Sequence, residues 1–380
     1  MTEMEDFEIT PTELAERLES GEDVQVLDVR APHRLVSGSI EVPRFHNVPG
    51  SRIMSMEDPA AAGLDPDAAV AVVCAHGNSS QPVTHYLRRK GWAARSLRGG
   101  VAAWMNLLRR RDLTAPAGVD RFIQFDRVGK GALGYLIVRG NEALAVDPSR
   151  DWQEWREAAE AAGARLVGTA DTHVHADFVS GSPALAATLD VPYYLHPDDS
   201  VYPYDGTPGR LAFDSIGEGD AIEVGGTPIL VHHTPGHTEG SVSFRIGDDA
   251  ILTGDFLFVG SIGRPDLAGK TEAWTGRLWD SLVRARESWP REATIYPAHY
   301  ATDAERNEDL TVGRTLAELL AANPTLSIDS EAEFRARVES GISDPPDAYP
   351  IIKAINVGLR QASPLELEQL EAGKNECALG

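Results

Sequence analysis

The chain has 380 residues, enough for two or three domains, and its 42% hydrophobic content supplies their cores. A formal net charge of −23 argues against nucleic acid and anionic membrane surfaces as partners. The acidic start Met1-Thr2-Glu3-Met4-Glu5-Asp6 lacks the basic flank and apolar core of a signal peptide, no run reaches the length of a membrane span, and the two cysteines, Cys74 and Cys377, are too dissimilar in context to suggest a disulfide; a cytoplasmic location is expected.

Thr10-Pro11-Thr12-Glu13 combines an N-cap threonine, proline at the first helical position and glutamate at the third, which predicts a helix from there to about Gly21. A strand over 24–27 follows. Further strands over 70–73 and 94–97, each followed by a helix of apolar period, give residues 1–114 the alternating grammar of a parallel sheet wrapped by helices. Thr114-Ala115-Pro116-Ala117-Gly118 reads as a linker.

From residue 119 the strands adjoin one another through Gly-Asn and Gly-Asp turns: 121–125, 134–139 and 142–147. A helix over 152–162 leads to a strand expected to end at His173. Strands over 229–233, 241–245 and 250–253 follow, separated by turns that carry His237 and Asp255. After Tyr300 the pattern turns helical, over 310–320, 331–338 and 350–359, with a break at Pro345-Pro346; residues 303–380 are expected to form a helical extension, and Cys377 in its polar tail is expected to be a bystander.

The stretch Thr172-His173-Val174-His175-Ala176-Asp177-Phe178, with His237 in Thr-Pro-Gly-His, Asp255 in Thr-Gly-Asp and His299 in Tyr-Pro-Ala-His, collects metal-ligand side chains in one half of the chain. Alternate residues of an extended segment share a face, so His173 and His175 are expected to project the same way at a strand end. This pattern resembles the metallo-β-lactamase superfamily, which implies an αββα sandwich over residues 119–302. Phe178 departs from the superfamily's two-metal members, which carry a histidine there; an apolar ring donates no electron pair. The local wording, His-Ala-Asp-Phe-Val-Ser-Gly, Gly-Arg-Pro-Asp-Leu and Tyr-Pro-Ala-His, resembles the persulfide dioxygenases of that superfamily.

That resemblance implies one Fe(II) per chain held by His173, His237 and Asp255, a set that leaves open positions for substrate and O2. For His175, Asp177 and His299, direct ligation and orientation of the ligands both remain open. Arg264, in Gly263-Arg264-Pro265-Asp266, is expected either to face an anionic substrate or, with Asp266, to pin the loop; Lys270 and Arg277 are expected to be solvated surface charges. The C-terminal extension is similar to that of bacterial persulfide dioxygenases with rhodanese domains, and either covers the site mouth or forms a homodimer contact.

In the N-terminal third, Cys74-Ala75-His76-Gly77-Asn78-Ser79-Ser80 lies between an apolar strand and a helix, where loop amides and a helix N-terminus stabilise a thiolate. With Leu27-Asp28-Val29-Arg30 and Leu97-Arg98-Gly99-Gly100-Val101 it resembles a rhodanese domain, which implies sulfane-sulfur transfer through a Cys74 persulfide. Rhodaneses commonly carry arginine at the position of Ser79, so the nucleophile remains and a charge for binding an anionic donor is missing. Cys74 is therefore either a sulfur carrier or a buried thiol in an interaction module.

The two resemblances together imply oxidation of a low-molecular-weight thiol persulfide by O2 to sulfite and free thiol, with thiosulfate or sulfite as partners of the N-terminal domain. The alternatives are a thioester hydrolase of the glyoxalase II type with a degenerate rhodanese module, and a non-enzymatic sulfur carrier.

Overall fold

The computed structural model describes residues 7–379, so the acidic start of the chain lies outside the described residues. Two compact units are present: one from the residues up to Arg109 with Arg127–Lys130 and Ala372–Lys374, the other from Arg110–Asp126, Gly131–Glu371 and the tail from Asn375.

The first unit is a five-stranded sheet of β1 (Glu8–Ile9), β2 (Val24–Asp28), β3 (Phe45–Asn47), β4 (Ala69–Val73) and β5 (Ala94–Leu97), in the order β1-β5-β4-β2-β3 with every pairing parallel. Helices α1 (Pro11–Glu19), α2 (Gly50–Ser55), α3 (Ser80–Arg89) and α4 (Gly100–Met105) pack on it. Helix α1 begins at the expected capping box, in which Thr10 and Glu13 satisfy each other's backbone N–H groups; removing such a cap costs about 1 kcal/mol. Because both faces are covered, β2 is buried at all five residues.

In the second unit β6 (Leu108–Leu113), β7 (Arg121–Arg127), β8 (Ala132–Arg139), β9 (Glu142–Val146), β10 (Arg165–Ala170), β11 (Tyr193–Leu195) and β12 (Asp214–Ser215) form a seven-stranded sheet ordered β12 to β6. A six-stranded sheet runs in chain order through β13 (Ala221–Val224), β14 (Thr227–His233), β15 (Val242–Ile246), β16 (Ala250–Gly254), β17 (Thr294–Pro297) and β18 (Arg314–Thr315). The main core fills the space between the sheets, with Phe122, Tyr135, Leu144 and Val146 from one and Ile229, Val231, Phe244 and Leu252 from the other. The two-residue period of a strand is visible at β16 and β17. Leu252 and Tyr296 join this central core, while Ile251 and Ile295 point the other way, onto helices.

Those helices are α7 (Thr271–Ser288), α8 (Leu316–Ala322) and α9 (Glu331–Gly341), contributing Leu278, Leu282, Leu319, Phe334 and Val338 to the outer core. On the opposite face α5 (Gln153–Ala161) sets Trp155 flat against Phe125, ring centroids 3.9 Å apart, while α6 (Ser182–Leu189) packs beside β10. Helices α10 (Ala348–Asn356) and α11 (Pro364–Leu370) complete the unit. The chain therefore has a rhodanese-type parallel sheet followed by an αββα sandwich. Among the described residues no helix is long and apolar enough to cross a membrane.

Three sequence expectations need correction. β10 stops at Ala170, so His173 and His175 stand on an irregular loop rather than on a strand end. The helix expected over 310–320 begins only at Leu316; Leu310 has a positive φ of 66°, Arg314–Thr315 pairs with β17, and the capping box of Thr315 with Glu318 starts the helix. The 18-residue α7 was not expected at all, because Lys270 at its N-cap gives no side-chain cap and charges interrupt its apolar positions.

Candidate metal centre

Strand ends of both sheets deliver the site. Loop 171–179 after β10 carries His173, His175 and Asp177, the turn after β14 carries His237, Asp255 follows β16, and His299 follows β17. Two glycines make the close approaches that this requires. Gly236, before His237, would drive a Cβ to within 2.4 Å of Leu278, and Gly254, at φ +54°, would meet Thr172 Oγ1 at 2.4 Å.

His173, His237 and Asp255 come together in the interior, each at most 1% exposed, with one donor atom apiece within 4.8 Å of the others. His173 Nε2 and His237 Nε2 lie 3.5 and 3.4 Å from Asp255 Oδ2. None of these three atoms has a hydrogen-bond partner, although buried polar atoms are normally paired. The remaining ring atoms are committed. His237 Nδ1 donates to the Arg264 carbonyl at 2.9 Å, and His173 Nδ1 lies 3.0 Å from Thr172 Oγ1, whose own proton goes to Asp147. Both rings thus commit Nδ1 and turn Nε2 toward Asp255.

Electrostatics point the same way. Burial holds His237 well below the usual imidazole range, so it is neutral. Burial also opposes ionisation of Asp255, but His299 and His173 override it and hold the carboxyl well below its ordinary range. Two imidazoles and one carboxylate whose facing atoms have no hydrogen-bond partner fit a divalent transition metal.

The other expected residues stand around this trio. His299 donates to both neighbouring carboxylates, Nδ1 to Asp255 Oδ1 at 2.6 Å and Nε2 to Asp177 Oδ2 at 3.0 Å. Burial would lower its pKa, but Asp177 and Asp255 outweigh burial and raise it to about 10. His175 turns Nε2 onto Asp147 at 3.1 Å. Phe178 is buried, stacked on the His175 ring at 4.2 Å and edge-on to His299 at 6.2 Å. Where a second metal would require a free lone pair on His299, the structure holds an imidazolium with both nitrogens engaged.

Arg264 is 2% exposed and makes a two-pronged pair with Asp266, Nε to Oδ1 at 2.8 Å and Nη2 to Oδ2 at 2.6 Å, while also donating to Ser343 and to the Glu376 carbonyl. Lys270 and Arg277 are exposed, as expected of surface charges, and they also line a cavity of about 400 Å³ beside the metal loops, bounded by Val174, Thr238, Trp274 and Lys353 among others. Cys377 corrects its expectation. It is fully buried, its Sγ is grouped within 4.8 Å of donor atoms of Asp177 and His299, and its carbonyl accepts from Arg264 N at 3.0 Å. Burial and the nearby carboxylates push its thiol well above the usual range.

Several supporting residues were not singled out from sequence. Asp147, itself at φ 48°, accepts from Thr172 N at 2.7 Å and from His175. Asp199 bridges the two histidine loops, accepting from Val174 N at 2.6 Å, Thr238 Oγ1 at 2.9 Å and Gly240 N at 2.8 Å. Asn356 of α10 donates to the carbonyls of His175 and Phe178 at 2.9 and 2.8 Å and accepts from Ser180 N. The extension therefore packs against the metal loop. Asp147 carried one signal, an acid directly after an apolar strand in Ala-Val-Asp-Pro.

In the first unit Cys74 follows β4 at the N-terminal end of α3. It is 4% exposed, its Sγ is 3.3 Å from Ser80 Oγ, and Ser80 in turn bonds Ser96 Oγ at 2.8 Å. Ser79 is exposed at the helix N-cap and makes no side-chain capping bond.

Residues 129–307 match the metallo-beta-lactamase superfamily and residues 10–107 the rhodanese-like domain. The chain is 31% identical to the mitochondrial persulfide dioxygenase of Mus musculus over 50% of its own length and 68% of that protein. It is 33% identical to a hydroxyacylglutathione hydrolase of Xylella fastidiosa, covering 52% of its own length and 75% of the hydrolase. Among solved structures, a metallo-beta-lactamase from Staphylococcus aureus aligns at 30% identity with a TM-score of 0.54, over 63% of this chain and 73% of that one.

Proposed function

The chain belongs to the metallo-beta-lactamase superfamily and carries a rhodanese-like domain N-terminal to it, and from that premise we propose that it is a persulfide dioxygenase with one iron per chain. The observation that carries this reading is the contrast between the unpartnered trio His173, His237 and Asp255 and the saturated surroundings of His299. In the first cluster all three facing atoms are bare, whereas both ring nitrogens of His299 are engaged with carboxylates and Phe178, which offers no lone pair, packs beside it. Similarity to the mouse persulfide dioxygenase supports the same assignment.

Fe(II) held by two imidazoles and one carboxylate would supply open positions at which an anionic sulfur and O2 meet. The chain's own groups do the rest. Thr172 and the Arg264 carbonyl fix the ligand tautomers, while Asp147 and Asp199 hold the two histidine loops in register. Phe178, Ala176 and Phe258 keep the far side dry. Arg264, paired with Asp266, serves as a strut between the loop after Asp255 and the chain ends near Ser343 and Glu376. The reaction consumes the persulfide, O2 and one water and yields the free thiol, sulfite and two protons. In the N-terminal domain the Cys74 thiolate takes the sulfane sulfur of thiosulfate and releases sulfite, or, in reverse, the Cys74 persulfide gives its outer sulfur to sulfite and forms thiosulfate.

Iron-loaded protein offered small-thiol persulfides should consume O2 and release sulfite in equal amounts. A thioester hydrolase is the second reading, favoured by the resemblance to hydroxyacylglutathione hydrolase. Thioester cleavage without O2 uptake would select it.

A further inference from the structure

Lys353 is a buried charge near the trio that the proposed reaction leaves unexplained. It lies on α10, is 1% exposed, and donates to the Val174 carbonyl at 3.0 Å. An ammonium has three N–H donors, and taking it out of water is costly unless charge nearby compensates. A backbone clamp alone does not call for a charge: Asn356, one turn along the same helix, holds the neighbouring carbonyls of His175 and Phe178 with a neutral amide. Burial pulls the Lys353 amine below its ordinary range, against the carboxylates of Asp199, Asp255 and Asp177, which favour its charged form. Its charge is also felt at His237.

Position gives that charge a use. Lys353 lines the cavity of about 400 Å³ together with Val174 and Thr238, the residues that follow the two histidines of the trio, and with Lys270, Trp274 and Arg277. Asp199 lines the same cavity, but its oxygens are taken by Val174 N, Thr238 and Gly240, and so it is a loop bracket there. Asp198 and Glu239 line it too, Glu239 paired with Arg277 at 2.6 Å, and Lys353 is the buried cation of the wall, its charge felt at His237.

We propose that Lys353 binds the anionic sulfur end of the substrate, holding it in the cavity next to His173, His237 and Asp255. This rests on the persulfide reading for its substrate class. Two neutral imidazoles and one carboxylate around a divalent metal leave one net positive charge, and Lys353 extends that positive field into the cavity for a monoanion. A neutral thiol or thioester gains nothing from it.

The test is anaerobic calorimetric titration of iron-loaded protein with glutathione persulfide, for the parent and for Lys353→Gln, Lys353→Met and Lys353→Arg. Without O2 no turnover occurs, so the readout is binding. Gln removes the charge and keeps an N–H donor on a side chain one bond shorter. Gln and Met should both bind at least about tenfold more weakly, with iron content and melting temperature near those of the parent, and Arg should recover part of the affinity. In aerobic assays the Gln variant should raise KM more than it lowers kcat. Parent-like affinity in Lys353→Gln overturns the proposal, as does loss of iron in that variant, which would make Lys353 a strut. A parent that binds persulfide but consumes no O2 overturns the dioxygenase reading and leaves the Lys353 comparison standing.

Discussion

The metal loops and the Cys74 loop use the same architectural position, the exit of a buried strand, in opposite ways. Around His173, His237 and Asp255 the hydrogen bonds at the rear of the site engage Nδ1 of each histidine and Oδ1 of the carboxylate, and the three front atoms are left without partners. Around Cys74 the thiol faces a hydroxyl, Ser80, and the exposed neighbour that would add a cation is Ser79. The first region is organised for a ligand that brings positive charge with it. The second places a thiol at a helix N-terminus, whose dipole stabilises an anion.

The largest effect that would break this contrast is at the trio. Alanine at His173, His237 or Asp255 should nearly abolish metal retention, measured by elemental analysis after dialysis; retained metal would show that the donors are elsewhere. Next comes Asp199→Ala, which frees the Val174 and Gly240 amides and should weaken metal affinity by about tenfold or more without removing any donor. Unchanged affinity would reduce Asp199 to a passive loop residue.

His299 sharpens the comparison through pH. Its folded-state pKa of about 10 lies above the ordinary 6.5, so the folded chain binds the proton more tightly than the unfolded one. The stability this contributes is fully present below 6.5 and is lost as pH rises through about 10. Melting temperatures of metal-free protein should therefore fall more steeply across that window for the parent than for His299→Gln; equal slopes would contradict the imidazolium bridge.

The smallest effects belong to the thiol loop. Cys74→Ser should eliminate thiosulfate-linked sulfur transfer and leave persulfide oxidation intact, whereas Ser79→Arg should improve thiosulfate use a few-fold by adding two charge-assisted hydrogen bonds. Intact-mass analysis after thiosulfate treatment reads both: one added sulfur on the parent, more on Ser79→Arg and none on Cys74→Ser. No added sulfur on the parent or on Ser79→Arg would leave the domain as an interaction module.

What was legible in the sequence follows the same divide between local and long-range physics. The donors announce themselves because each sits in a short stretch that glycine or proline shapes locally, as in Pro-Gly-His and Thr-Gly-Asp. The parallel sheet and the sandwich strands were legible from apolar runs and turns. Asp199, Lys353, Asn356 and Cys377 were not, because their roles come from contacts made across the folded chain: Lys353 bonds a residue 179 positions away and Asn356 one 181 positions away.

The central claim is a single iron in a site whose neighbour is closed by His299 and Phe178, and the count of metals per chain tests it most directly. Protein purified without chelator and analysed for iron and zinc should hold one metal, predominantly iron, and Phe178→His should gain second-metal occupancy. Two tightly held zincs in the parent, with full activity, would contradict the account.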